Sequence, residues 1–200
     1  AWITPIIWVT YFCSSFAIYL KASFGLLFLE KLGLSVPFAN NLIFVGGTIG
    51  AVGAIFVMAF VERRGPIWIA VAPLVGIPLA LLIGSGAILG GSFFIPVVIL
   101  GSIMIGVGHA SVISITTIYY PSAVRSTGGG WASFMAKFAA VAAPNVGAAY
   151  FLADKESVLR GYTFTALCLA GVVAGILALS FFARRLSKPH IELEPEPALA

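Results

Sequence analysis

Residues 65–124 contain no Asp, Glu, Lys or Arg. Ordinary soluble domains carry charge at roughly a quarter of their positions, so a stretch of that length cannot form the surface of one. Lipid has to solvate it. The charges that bracket it fall in two short islands, Glu62-Arg63-Arg64-Gly65-Pro66 and Tyr119-Tyr120-Pro121-Ser122-Ala123-Val124-Arg125-Ser126-Thr127-Gly128. Both islands read as loops between membrane-spanning helices. The whole chain agrees, with 60% hydrophobic and 9% charged residues.

A spanning helix needs about 20 mostly apolar residues. Six segments qualify: Trp2–Leu29, Phe38–Val61, Ile67–Ile83, Phe94–Ile118, Gly129–Leu152 and Tyr162–Ala183. Ile67 to Ile118 is too long for one span, and Gly84-Ser85-Gly86 with Gly90-Gly91-Ser92 divides it. Barrel strands would need short alternating segments; these runs are long and continuous, so helices are expected. Six spans put both ends on one side. That side would hold Arg63, Arg64, Arg125, Arg184, Arg185 and Lys188, against Lys31, Lys155 and Arg160 opposite. The positive-inside rule then predicts cytoplasmic ends in a cell membrane, here a bacterial inner membrane. Residues 1–186 read as one six-helix transmembrane domain, and the polar, proline-broken residues 187–200 as a disordered cytoplasmic tail. The opening Ala1-Trp2 has no initiator Met, basic stretch or cleavage site. It reads as a continuation of a longer protein.

Several functions are excluded by what the sequence contains. The net charge of +4 comes from cations at span ends, which argues for membrane topology and against nucleic acid. Cys13 and Cys168 lie inside apolar runs as small hydrophobes, with no disulfide or metal spacing. There is no phosphate loop, no HExxH and no GxSxG elbow. His109 and Ser111 are too close in sequence to imply a dyad. Neither an enzyme nor a cofactor is expected.

Polar groups inside the spans are the candidate functional residues. A mid-membrane Lys costs about 2.5–3.5 kcal/mol on insertion scales and needs a reason. Lys137 shares a helical stripe with Gly130, Ser133, Phe134, Val141 and Pro144. That mixture of small, polar and aromatic groups suits a binding site; the bland alternative is a lysine snorkelling to the interface. Lys21 shares a face with Ser14, Gly25 and Phe28, and snorkelling would be easier there. His109 has Ser102 and Thr116 seven residues to either side on one face. It could bond a ligand, relay protons or simply be a satisfied packing residue. Asn40 and Asn41 cap or line the second span, and Asn145 re-satisfies backbone groups beside Pro144. The pairs Gly46/Gly50 and Gly171/Gly175 let helices approach closely, and by themselves say only that the helices bundle. All seven acidic residues lie in loops or tail, so a proton-coupled machine would keep its carboxylate outside this chain.

The two islands resemble the major facilitator superfamily. Glu62-Arg63-Arg64-Gly65 is similar to that family's acidic-Arg-x-Gly loop motif, preceded by the glycine-rich Gly46-Gly47-Thr48-Ile49-Gly50. Met58 stands where glycine is common, and Glu62 where Asp is usual. Residues 120–131, from Tyr120-Pro121 through Arg125 and Gly128 to Trp131, resemble the loop between the tenth and eleventh helices of metabolite:proton symporters, most closely the aromatic acid:proton group. In that group the eleventh helix often carries an Arg for the substrate carboxylate. Lys137 occupies the matching position, keeping the charge and losing the bidentate fork.

The resemblance implies an all-α membrane protein whose six transmembrane helices are helices seven to twelve of a twelve-helix fold, built from two inverted three-helix repeats. It implies proton-coupled symport of small organic, aromatic or other carboxylic acids by alternating access. The substrate would contact Lys137, Lys21, His109, Ser133 and Phe134. Glu62, Arg63, Gly65, Tyr120, Pro121, Arg125 and Gly128 would brace the gate. The partners would be the organic anion, protons, the lipid bilayer and an N-terminal six-helix half. Two alternatives stay open. One is a porter of sugars or other neutral or zwitterionic metabolites, with Lys137 structural. The other is a self-contained six-helix channel or scaffold.

Overall fold

The structure is a computed structural model that describes residues 3–186. The expected tail at 187–200, Lys188 included, lies outside the described residues. Helix α1 runs Ile3–Lys31, α2 Val36–Arg64, α3 Val71–Gly84, α4 Phe94–Ile113, α5 Ile115–Tyr119, α6 Ser122–Tyr150 and α7 Lys155–Leu186. A 3-10 turn, Pro66–Ala70, leads into α3. No strand occurs among the described residues.

Five runs are long and apolar enough to cross a membrane: Ile3–Lys31, Val36–Val61, Pro66–Gly84, Phe94–Tyr119 and Lys155–Ala183. Their outward faces stay apolar: Phe44, Ile55, Phe56 and Leu167 are each about two-thirds exposed or more. Apolar surface of that extent is what lipid solvates. The chain is compatible with a multi-pass membrane protein. Helix α6 has 29 residues but is less apolar than the other five, because it carries Arg125, Lys137, Asn145 and three consecutive glycines.

The helix ends have local causes. Gly65 closes α2 with its N–H on Val61 O (2.9 Å) at φ 99°, a left-handed value that glycine adopts without strain. Pro66 follows at the first position of the next turn. The fourth span breaks at Ser114, where hydroxyls bond back to the chain: Ser114 Oγ donates to Ser111 O and Thr117 Oγ1 to Ser114 O, each at 2.7 Å. Two boundaries differ from expectation. The second island is not a loop beyond Pro121, since α6 begins at Ser122 rather than Gly129. Proline supplies the extended N-cap there (ψ 149°), and Ser-Ala-Val-Arg can start a helix at once. Helix α7 begins at Lys155 rather than Tyr162, because Asp154 caps it: Oδ1 accepts the Ser157 N–H at 2.7 Å.

The packing has an internal exchange symmetry. Helix α1 packs on α6 as α4 packs on α2; α1 packs on α7 as α4 packs on α3; α3 meets α7, and α1 meets α4. Swapping the first three spanning segments with the last three maps this pattern onto itself. The glycine pairs sit where helices come closest. A Cβ at Gly46 would lie 2.7 Å from Ser102 Oγ on α4, and one at Gly171 2.9 Å from Cys13 Sγ on α1. Core clusters stack along the bundle, one around Ile7, Tyr11, Ile69 and Tyr120, one around Phe16, Leu20 and Leu169, one around Leu29, Leu42 and Phe94.

The connections at 32–35, 85–93 and 151–154 share one end, where Lys31 Nζ reaches Ala153 O at 3.4 Å. The turns at Gly65 and Tyr120-Pro121 share the other. Ser92 and Ser122 are exposed reporters of the two ends, whereas Ser157 is buried. In a background lacking Cys13 and Cys168, an impermeant maleimide applied outside cells should label Ser92→Cys and spare Ser122→Cys. The reverse pattern would invert the topology.

The Ser157 backbone N–H, then its hydroxyl, hold the Asp154 carboxyl below the usual range. A carboxylate depressed in the folded state stabilises the fold above its unfolded pKa, about 3.9. That contribution disappears as pH falls through the folded value. Asp154→Ala should therefore melt earlier than wild type at neutral pH, Asp154→Asn should keep most of the loss at bay, and the wild type–Ala difference should close in strong acid.

Candidate functional site: a polar cleft between α1, α4–α5 and α6

Three helical stripes converge on one cavity of about 340 Å³. Helix α1 contributes Tyr11, Ser15 and Tyr19, at i, i+4 and i+8. The α4–α5 segment contributes His109, Val112, Ile113 and Thr116. Helix α6 contributes Gly129, Ser133, Ala136 and Lys137. Each spacing puts its residues on one side of its helix.

Polar contacts fix the walls. Tyr11 OH donates to Ile113 O at 2.7 Å and lies 3.2 Å from Thr116 Oγ1. Ser14 Oγ and His109 Nδ1 are 3.1 Å apart, which fixes the imidazole against α1. Ser15 is fully buried and its hydroxyl has no partner among the described residues. Lys137 is exposed at the cleft, near the middle of α6. Among the described residues, no acidic side chain lines the cleft. One cation, one imidazole, two phenols and three hydroxyls face a space large enough for a small organic molecule. That set can bind an anion and clasp its apolar body.

Of the residues singled out in the sequence, Lys137, His109 and Ser133 meet here. Phe134 does not: it is turned to the neighbouring face, 55% exposed, with its ring edge-on to Trp131 at 5.9 Å, and Trp131 in turn meets Trp8 at 5.7 Å. Lys21 does not either. It stays inside the bundle, where its Nζ donates to Ser102 O on α4 at 3.0 Å. Tyr11, Ser15, Tyr19 and Thr116 had not been singled out as site residues. The four-residue spacing of hydroxyl-bearing side chains on α1 was the available signal.

The residues of the two islands form a second constellation. Glu62 and Arg63 lie in the last turn of α2. Beside them the Arg64 guanidinium sits 5.6 Å over the Phe60 ring, which meets Trp68 edge-on at 5.0 Å. Tyr120 O accepts Arg125 Nε at 3.3 Å. A Cβ at Gly128 would lie 2.6 Å from the Tyr120 ring, so position 128 has no room for a side chain unless that ring moves. Pro121 separates the two helices. Val61, Ile69 and Tyr120 share one core cluster, so both islands are anchored in the same end of the bundle. Asn145 Nδ2 donates to Val141 O at 2.7 Å beside Pro144, as expected; Asn40 and Asn41 are exposed in the first turns of α2.

A second hollow, of about 540 Å³, runs along α3 and α7 and is lined by apolar side chains together with Arg160 and Thr163. No protein-family model matches the chain, and no curated protein matches it.

Tyr11 carries the cleft's wall. Tyr11→Phe removes a hydroxyl with two partners and leaves them buried, which should cost on the order of 1 kcal/mol. Unfolding in mixed micelles should report that loss, and Tyr19→Phe should cost less.

Proposed function

We propose that this chain is the C-terminal half of a twelve-helix secondary transporter of the major facilitator type, carrying small organic acids by proton-coupled symport. The observation that carries the reading is the cleft: Lys137, His109 and Ser133 gathered with Tyr11, Tyr19, Ser15 and Thr116, and no acid among them. A carboxylate would lie at Lys137, where an ammonium gains most from an anionic partner. The phenol rings would flank an apolar or aromatic body, and the hydroxyls would orient it.

Three further features support the reading. The packing maps onto itself when the first and last three segments are exchanged, as inverted repeats require. Helix α6, as the fifth of six spans, tolerates its polar residues because one face lines a cleft instead of lipid. The two loop constellations lie at one end, beside the cleft's Thr116 and Gly129, where a cytoplasmic gate would close. Transport would proceed by rocking this half against an N-terminal half. The coupling carboxylate would belong to that other half, because Glu30, Glu62 and Glu156 lie in terminal turns of their helices, Asp154 in a connection, and the other three acids after residue 186.

The test is Lys137→Ala in the full-length transporter. A charge-assisted hydrogen bond is worth about 1.5–3 kcal/mol, so affinity for the organic anion should fall about 10- to 100-fold. Membrane insertion should be intact or easier, and Lys137→Arg should keep part of the activity. Unchanged anion affinity in folded Lys137→Ala protein would make Lys137 structural and favour a neutral substrate.

A further inference from the structure

Lys21 is an intramembrane cation to which the cleft gives no role. It lies ten residues before Lys31 on the same helix, about 15 Å from that end at 1.5 Å per residue. That places it deep in the bilayer. Its side chain does not snorkel outward; Nζ donates to Ser102 O at 3.0 Å across the α1–α4 contact. An ammonium has three N–H donors and no acceptor. The carbonyl takes one of them.

The remaining donors face a void. A cavity of about 50 Å³ lies against Lys21, framed by Gly25, Gly76, Ala80, Gly101 and Ser102. A second, of about 30 Å³, shares Lys21 and Gly25 with it and extends to Thr165. Tyr162 lines both. Five helices contribute to these linings, α1, α2, α3, α4 and α7, and none of them places an Asp, Glu, Arg or His there. Thr165 is already committed, donating to Gly161 O at 2.9 Å. Ser102 Oγ is buried with no partner among the described residues.

Ser102 O is the ammonium's one hydrogen-bond partner among the described residues, so two of its three donors are left for a group held in the space. A neutral ligand with its own donors would add to the surplus, and a metal cation would be repelled. Lys21 is half-buried, and an ammonium held at that depth gains from a counter-charge, which the helices lining the space do not supply. The small glycine and alanine positions keep the space open where larger residues would close it. Its volume exceeds the roughly 30 Å³ share of one liquid water molecule, and it is too small for an aromatic carboxylate.

We infer that the Lys21 cavity binds one small monovalent anion of about chloride size. The ion accepts from the Lys21 ammonium and from Ser102 Oγ, and neutralises the α1–α4 contact. Larger organic anions are confined to the open cleft at Lys137. The site stands whether or not the chain transports organic acids.

A ligand that binds only the folded state raises its stability with the logarithm of concentration once above its dissociation constant. The purified protein in lipid nanodiscs should melt at progressively higher temperature as gluconate is replaced by chloride at constant ionic strength. Equilibrium binding of radiolabelled chloride should approach one ion per chain. Lys21→Met keeps an unbranched apolar stem and removes the charge; it should lose both the chloride response and the bound ion. Ala80→Leu leaves Lys21 in place and fills the void; it should lose them too. Ser102→Ala should shift the response to several-fold higher chloride. Wild-type protein that neither responds to chloride nor binds it, or a Lys21→Met variant that keeps the wild-type response, would overturn the assignment and leave water as the occupant.

Discussion

The antiparallel seam between α1 and α4 holds this bundle's polar chemistry in place. Ser14 meets His109, and Lys21, seven residues on, meets Ser102, seven residues back. Seven residues are close to two helical turns, so both contacts fall on one line. Tyr11 continues that line into the break after α4, where it satisfies the Ile113 carbonyl. Helix ends leave carbonyls without intrahelical partners, and lipid offers none. Together with Thr116 Oγ1, which donates to the same carbonyl at 3.3 Å, the tyrosine hydroxyl satisfies the chain where the fourth helix breaks. The same break turns Thr116 toward the cleft.

Close approach makes the seam possible. Helix α4 is gripped from its other side by α2, through Gly46 and Gly50, where the Ile103 backbone is 3.5 Å from the Cβ position of Gly50. Helix α1 is gripped by α7 at Gly171 and Gly175, against Cys13 and Thr10. Without a hydrophobic drive between helices in lipid, van der Waals contact at small residues has to supply the attraction. Larger residues at these positions would push α1 and α4 off their supports and open the polar line. The seam, the glycine contacts and the exchange symmetry of the packing are thus one arrangement.

Much of this was legible in the sequence, and the limits have physical causes. Apolar length located the helices, because bilayer thickness fixes how long an apolar run must be. The stripes Ser14–Lys21 and Ser102–His109 were visible from helical periodicity. That they face each other was not, since periodicity fixes a residue's place on its own helix and says nothing of its neighbour. The start of α6 was misplaced because the polar island around Arg125 reads as a loop, although Pro121 is its last extended residue. In the fold Gly128 packs under the Tyr120 ring, a contact that a short-range reading cannot see. Phe134 was grouped with Lys137 at i, i+3, yet the cleft takes residues 129, 133, 136 and 137. Phe134 falls just past that edge, onto Trp131. The tyrosines of α1 went unremarked because an aromatic in a span is usually packing or an interface anchor; only their convergence with His109 and Lys137 gives them another meaning.

Two lysines on one bundle are separated by volume rather than by charge. The space at Lys137 is about 340 Å³ and polar-walled; the space at Lys21 is about 50 Å³ and framed by glycine and alanine. Both ammoniums attract anions, so charge alone would let one ligand visit either. Size divides them. A molecule with a ring fits only the cleft, where the cation is exposed and an incoming carboxylate need not cross a packed core. The space at Lys21 is about 50 Å³, so its counter-charge has to be small. On the proposed reading, a resident ion would keep the seam electrically quiet while the cleft takes up an organic anion, with the α1–α4 pair as a wall opposite Lys137 of α6.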